Sequence, residues 1–212
     1  MISVEDAAAL YRDHDSAHGF DHVLRVWRLA MRLAAEEGAD PAIVNDAALL
    51  HDVGRAEQLV VGGDHAAIGA RVAAEMLSEA DPGHCAAVCA AIAEHRFRSD
   101  RRPSTLESQV LFDADKLDAI GAIGVARAYA VAGAMRQHLW AEVSAELGAR
   151  EPAAGADDLD NDEHTPVHEF IFKLRRLAGL VVTPTAKRLA DERQAFMGAF
   201  FERLGREVAG EI

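Results

Sequence analysis

An all-α fold in a single domain is what this sequence predicts, and three observations carry the prediction. Alternating β-branched runs are nearly absent, while Ala, Leu, Glu and Arg dominate. Apolar residues recur at helical spacing, first and most clearly at Val23, Val26, Trp27, Ala30, Leu33 and Ala34. Asp, Pro and Gly fall between the periodic segments where helix caps and stops are needed. With 212 residues, half of them hydrophobic, the chain can bury one substantial core.

The elements follow in order. The Val23–Ala34 stripe defines a first long helix, and Gly38 stops it. Asp40 caps the next helix, with Pro41 in its first turn. That helix ends near His51-Asp52, with Gly54 at the break. A short loop carries Gly62-Gly63-Asp64. A further helix starts at about His65 and places Ile68, Val72, Ala73, Met76 and Leu77 on one face. Asp81-Pro82-Gly83 forms a turn, and a helix over about 83–95 ends in His95. A basic loop spans residues 96–104. Thr105-Leu106-Glu107 then leads into a long helix through Asp115 and Asp118. Residues 137–165, which contain the acidic run Asp157–Glu163, are the least core-like and read as a mobile insertion. The tail returns to amphipathic helix, with Phe170, Leu174 and Leu177, then Leu189, Phe196, Phe200 and Leu204 on its apolar side. No repeat and no interdomain linker are visible.

A net charge of −13 argues against a broad nucleic-acid footprint, which needs clustered Lys and Arg. It leaves room for a small phosphate ligand held by a few local cations. Cys85 and Cys89 stand four apart in an Ala-rich stretch and read as half-buried core residues, since there is no second Cys pair to complete a metal site. No basic-then-apolar leader and no membrane-length apolar run occur, so the expectation is a cytoplasmic protein without a membrane partner. A homodimer stays open beside a monomer.

The chemistry concentrates at His51-Asp52, which directly follows an apolar run. A buried carboxylate needs a partner, and a divalent metal is the most economical one. His22, His95 and Asp115 supply further nitrogen and oxygen donors of the kind that suit a hydrolytic metal. Asp115 and Asp118 share a helix face at i and i+3. His14, His18, His84 and His138 read as solvent-facing or structural. Arg25, Arg55, Arg96, Arg98 and Lys116 lie beside the motif residues and are the candidate phosphate-binding cations.

These words resemble the HD-domain metal-dependent phosphohydrolases, whose pattern is a His, a His-Asp doublet and a distant Asp. Asp21-His22 with Arg25-Val26, the run Ala48-Leu49-Leu50-His51-Asp52-Val53-Gly54-Arg55 and the string Asp-Ala-Asp-Lys-Leu-Asp-Ala-Ile-Gly-Ala-Ile-Gly at 113–124 are similar to the YpgQ/YedJ-like bacterial subgroup. The likeness runs over about 18–134 and again over 164–208. It implies a helical HD bundle with His22, His51, Asp52 and Asp115 as metal ligands. One divalent transition metal is expected, Mn foremost, with Fe, Co, Ni, Zn or Mg as alternatives.

His65, His95 and Asp118 are the expected catalytic groups; Arg25, Arg55, Arg96 and Lys116 are the expected substrate-binding ones. In dinuclear relatives a further His pair completes a second metal site, but here Arg96 follows His95, so His65 and His95 are expected to face substrate phosphates. Asp113 is given a structural or capping role. The implied activity is hydrolysis of a nucleoside triphosphate to a monophosphate and pyrophosphate. The alternatives are a nucleotide phosphomonoesterase and a non-catalytic nucleotide or metal sensor.

Overall fold

The computed structural model describes residues 1–11, 19–96, 102–143 and 164–212. Among these residues the chain is helical and contains no strand. It divides into two compact units, one of Met1–Asp115 with Val182–Ala186 and one of Lys116–Val181 with Lys187–Ile212.

The first unit begins with α1 (Val4–Leu10), capped by Ser3. The long α2 (Phe20–Glu37) buries Val23, Val26, Ala30, Leu33 and Ala34, the apolar stripe legible in the sequence. Trp27 is only half-buried and donates its indole N–H to Asn45 Oδ1 at 2.9 Å. Gly38 closes α2 at φ 82°, a left-handed conformation that glycine adopts without a Cβ penalty. Helix α3 (Pro41–Leu50) starts as expected, with the Asp40 side chain accepting from Ala42 N. Its last residues, Ala47 to Leu50, are wholly buried. Each such leucine removes about 2 kcal/mol worth of apolar surface from water. The polar His51-Asp52 pair is therefore fixed at the end of a rigid, deeply anchored helix.

A short helix α4 (Arg55–Val61), which the hydrophobic pattern does not reveal, fills the stretch before the Gly62-Gly63 turn. It escapes detection because Leu59, Val60 and Val61 are all exposed and form no amphipathic stripe. Asp64 caps α5 (His65–Met76) by accepting from Ala66 N. Asp81 caps α6 (Pro82–Glu94), with Pro82 in its first turn, so the expected Asp-Pro-Gly turn is also the helix start. Helix α5 packs on α6, and α3 packs on both α2 and α6. Cys85 and Cys89 are free and half-buried.

Helix α7 (Leu106–Asp118) carries Asp115 at the end of the first unit. One turn of α7 is tied down by Asp113, which is fully buried. Its carboxylate accepts from Val182 N at 2.8 Å, and from Thr183 N and Oγ1 at 2.7 Å each. The structural role expected for Asp113 is thus to hold the 182–183 segment.

The second unit contains α8 (Gly121–Ala134), α9 (Pro166–Glu169), a π-helical turn over Phe170–Leu174, α10 (Arg175–Leu177) and most of α11 (Pro184–Val208). Thr165 is buried and caps α9 in a capping box with His168. Of the span read as an insertion, residues 144–163 lie outside the described residues. On α11 the apolar face is shifted by one position from the expected register. Ala190, Met197 and Phe201 are buried, whereas Phe196 is 52% exposed. Adjacent pairs Phe196-Met197 and Phe200-Phe201 offer two stripes one residue apart; Phe201 wins by stacking on Phe170 at 4.4 Å. Among the described residues no single helix is long and apolar enough to cross a membrane.

Candidate metal centre

Four elements of the first unit deliver imidazoles to one carboxylate. His22 stands in the first turn of α2, His51 caps the C-terminus of α3, His65 opens α5 and His95 caps the C-terminus of α6. All four are buried, as is Asp52. The Nε2 atoms of His22 and His51 lie 3.6 and 3.7 Å from Asp52 Oδ2. Those of His65 and His95 lie 3.7 and 3.6 Å from Asp52 Oδ1. Asp115 Oδ1 is 3.5 Å from His22 Nε2. Two groups can each hold a metal ion, His22–His51–Asp52 and Asp52–His65–His95, and Asp52 belongs to both.

Close packing of the His-Asp turn on α5 explains this convergence. A Cβ on Gly54 would run into the His65 carbonyl oxygen and come within 2.6 Å of Gly69 N. Gly69 in turn lies under the turn, its own notional Cβ 3.3 Å from the His51 carbonyl oxygen. Gly54 is therefore more than a break between helices: it sets how near His65 comes to Asp52.

Hydrogen bonds settle which ring nitrogen faces the carboxylate. His51 Nδ1 is 2.8 Å from Ala48 O, and His95 Nδ1 is 2.6 Å from Ile92 O. Both partners are carbonyls at the ends of helices, where the last turn leaves acceptors without a helical donor. A carbonyl only accepts, so each Nδ1 carries a proton, which in the neutral ring leaves Nε2 as a lone pair. Burial is the main reason that the His51 pKa falls to about 4 and the His65 pKa to about 3, so both rings are neutral at pH 7. Burial alone would raise the Asp52 pKa, but its ionisable neighbours, the Arg55 guanidinium among them, outweigh it and hold Asp52 ionised. Arg55 Nε donates to Asp52 Oδ2 at 2.5 Å, while Oδ1 is buried with no hydrogen-bond partner among the described residues. An orphaned carboxylate oxygen ringed by nitrogen lone pairs is unfavourable by itself and suits a bound cation. The donor set fits a divalent metal of the transition series.

The expected ligands His22, His51, Asp52 and Asp115 are thus brought together. So are His65 and His95, on the opposite oxygen of Asp52. The candidate cations differ in their partners. Arg55 is part of the centre. Arg25 Nη1 donates to Asp21 at 2.6 Å on an exposed face, and Arg96 Nη1 donates to Asp64 at 3.0 Å. Lys116 is buried, and Asp118 accepts from Arg127 Nη1 at 3.0 Å, both within the second unit. Arg98, His14 and His18 lie outside the described residues. His84 has a structural role, its Nε2 2.8 Å from buried Asp46.

Comparison with known proteins places this geometry. The HD domain family matches residues 19–120. YpgQ of Bacillus subtilis, described as uncharacterized, is 31% identical over 219 residues, covering 95% of this chain and 90% of its own length. A crystal structure of YpgQ in complex with ADP superposes with a TM-score of 0.72 at 28% identity, over 98% of this chain and 99% of that one. A Lactobacillus plantarum protein gives a TM-score of 0.74 at 30% identity, over 99% of this chain and 100% of that one. An HD-superfamily hydrolase from Bacillus thuringiensis gives 0.70 at 26% identity, over 97% and 96%.

Proposed function

This chain belongs to the HD-domain family of metal-dependent phosphohydrolases, and from that premise we propose that it cleaves nucleoside triphosphates to a monophosphate and pyrophosphate. The observation that carries the reading is Asp52, ionised and buried, with one oxygen unpartnered and four imidazoles around it. A nucleotide substrate is supported by the ADP complex of YpgQ. Cleavage between the α and β phosphates is supported by the likeness of residues 113–124 to the pyrophosphohydrolase subgroup.

His22, His51, Asp52 and Asp115 would hold one divalent ion, with Mn²⁺ preferred. When bound, such an ion acidifies a water and relieves negative charge on a phosphoryl oxygen. As neutral rings, His65 and His95 would take a proton from the attacking water at Nε2; protonated, they would face the substrate phosphates. Substrate charge falls to the arginines: with Nε on Asp52, Arg55 keeps its terminal nitrogens for phosphate, and its side chain is 27% exposed. Arg96 is held near the start of α5 by Asp64. Lys116, Asp118 and Arg25 enter by their place in the sequence motif.

One observation favours a second reading. The Asp52–His65–His95 group has the same donor chemistry as the first, with Asp52 in position to bridge two ions. Elemental analysis separates the readings: one ion per chain is expected, and two per chain, falling to one in His95→Ala, would establish the dinuclear form.

The activity itself is tested by separating the products of a nucleoside triphosphate panel. Monophosphate and pyrophosphate are expected. Orthophosphate or tripolyphosphate as the main initial product would overturn the assignment. After chelation, Mn²⁺ should restore turnover better than Mg²⁺, because imidazole ligands disfavour an ion that prefers an all-oxygen shell. Faster turnover with Mg²⁺ at equal occupancy would count against the ligand set.

A further inference from the structure

We infer that Gln58 is a positioning residue: it holds His65 in the Nδ1–H form, so that Nε2 presents its lone pair toward Asp52, and Gln58 is itself oriented by the Gly63 carbonyl. The need for it follows from where the histidines stand. His51 and His95 sit at helix C-termini and find a carbonyl of their own helix for Nδ1. His65 is the first residue of α5, and a helix N-terminus exposes N–H groups, not carbonyls. Its acceptor has to come from elsewhere.

Gln58 on α4 supplies it. Gln58 Oε1 is 3.1 Å from His65 Nδ1, and Gln58 Nε2 is 2.7 Å from Gly63 O. The Gly63 carbonyl can only accept, so the amide nitrogen must face it and the amide oxygen must face His65. An amide oxygen also only accepts, so Nδ1 bears the proton. The direction of the relay is thus fixed from one end by a backbone oxygen. The turn that aims this oxygen is Gly62-Gly63, at φ 76° and 94°, a region disfavoured for residues with a Cβ. A paired glycine, a glutamine and a histidine therefore act as one unit, at a helix start where no helix-end carbonyl sets the tautomer. Partners behind a metal-site histidine orient the ring and raise its basicity, and losing one costs 10–100-fold in affinity or activity as a rule.

The catalytic use of this relay rests on the proposed hydrolase function, but its geometry does not, and the test reads the two separately. Long-range ¹H–¹⁵N correlation spectra of the chain labelled in histidine, recorded at pH 8 without added metal or nucleotide, report the tautomer of each ring. His65 is assigned by its loss in His65→Gln. The wild type should show His65 protonated at Nδ1. Gln58→Leu should shift it toward the Nε2–H form while His51 and His95 keep theirs, and Gln58→Glu, which retains an acceptor, should preserve the wild-type pattern. A Gln58→Leu spectrum with His65 unchanged, or a wild type protonated at Nε2, overturns the inference. Gln58 is half-exposed on a short helix, and Gly63→Ala provides an independent variant that disturbs the same relay from its other end. In turnover, Gln58→Leu should lower kcat about 10–100-fold with KM little changed, and Gln58→Glu should recover most of it. Normal kcat in Gln58→Leu would also overturn the positioning role. If no nucleotide is hydrolysed at all, the spectra still decide the tautomer, and only the function assigned above fails.

Discussion

Asp46 and Asp52 are both fully buried, one within α3 and one just beyond its end, yet burial treats them in opposite ways. Asp46 Oδ1 accepts from Ile2 N at 2.7 Å and from Asn45 Nδ2 at 2.9 Å, and Oδ2 is 2.8 Å from His84 Nε2. Its lone pairs meet donors on both sides, and it ties the N-terminal residues to α3. Asp52 has one short partner, Arg55, on Oδ2, and none on Oδ1. The groups around it at 3.6–3.7 Å are imidazole nitrogens, two of which are fixed as lone pairs by backbone carbonyls and a third by an amide. Carboxylate oxygen and imidazole lone pair repel. What distinguishes a structural carboxylate from a functional one here is therefore not burial but the polarity of its neighbours: donors around Asp46, acceptors around Asp52. Acceptors converging on one carboxylate oxygen give the site its affinity for a cation.

The sharpest way to break this contrast is at Asp52. Asp52→Ala should abolish metal binding and reduce turnover by more than about two orders of magnitude, with helical content kept. Compared without metal, Asp52→Asn should unfold at a lower urea concentration than the wild type, because the fold holds Asp52 as a carboxylate paired with Arg55. Full turnover in a metal-free Asp52→Ala protein would remove Asp52 from the centre. Unchanged metal-free stability in Asp52→Asn would mean that Arg55 does not hold the buried carboxylate ionised.

Asp46→Ala should do the reverse. Leaving the Ile2 N–H, the Asn45 amide and His84 without their acceptor should cost about 1–3 kcal/mol in a urea unfolding experiment. Metal content and turnover per folded molecule should stay at wild-type levels. Loss of metal in Asp46→Ala at temperatures where it is fully folded would show that the two carboxylates are coupled and that the distinction does not hold.

Much of this was legible in the residues because it depends on local chemistry. The Asp40-Pro41 start, the Gly38 stop and the α2 stripe each follow from short-range rules, and the structure places them as read. His51-Asp52 stood out as an ionisable pair after an apolar run, and the motif string pointed to Asp115. What was not legible depends on distant or backbone partners. The residues that flank Asp113 in sequence say nothing of Thr183, which donates to it from 70 residues away. Arg25 and Arg96 look like free phosphate-binding cations until Asp21 and Asp64 are seen beside them. Helix α4 lacks an apolar period, and with it the sequence concealed Gln58, whose role requires knowing where the Gly63 carbonyl points. On α11 the twin aromatic pairs made two registers equally plausible, and only the Phe170 stack selects one.

A third carboxylate extends the comparison to the second unit, where the effect should be smallest. Glu169 meets donors, as Asp46 does, but at a partly open surface: Lys173 Nζ donates at 2.6 Å, and His164 Nε2 is 3.5 Å away, with the Glu169 side chain 28% exposed. Burial acts to raise its pKa, but His164 and Lys173 outweigh burial and bring it down to about 2, against 4.5 for an unperturbed glutamate. A folded-state pKa below the unfolded one means that the fold favours the carboxylate. The resulting stability is present above about pH 4.5 and is lost as the pH falls toward 2. Glu169→Gln should therefore cost about 1 kcal/mol at neutral pH, discounted for solvent screening of the partly exposed pair, and should flatten the decline in stability between those two pH values. Urea midpoints of both proteins across that range provide the measurement. If donors around a carboxylate matter only when it is fully buried, the two acid limbs will run parallel, and the lesson drawn from Asp46 will apply to the interior alone.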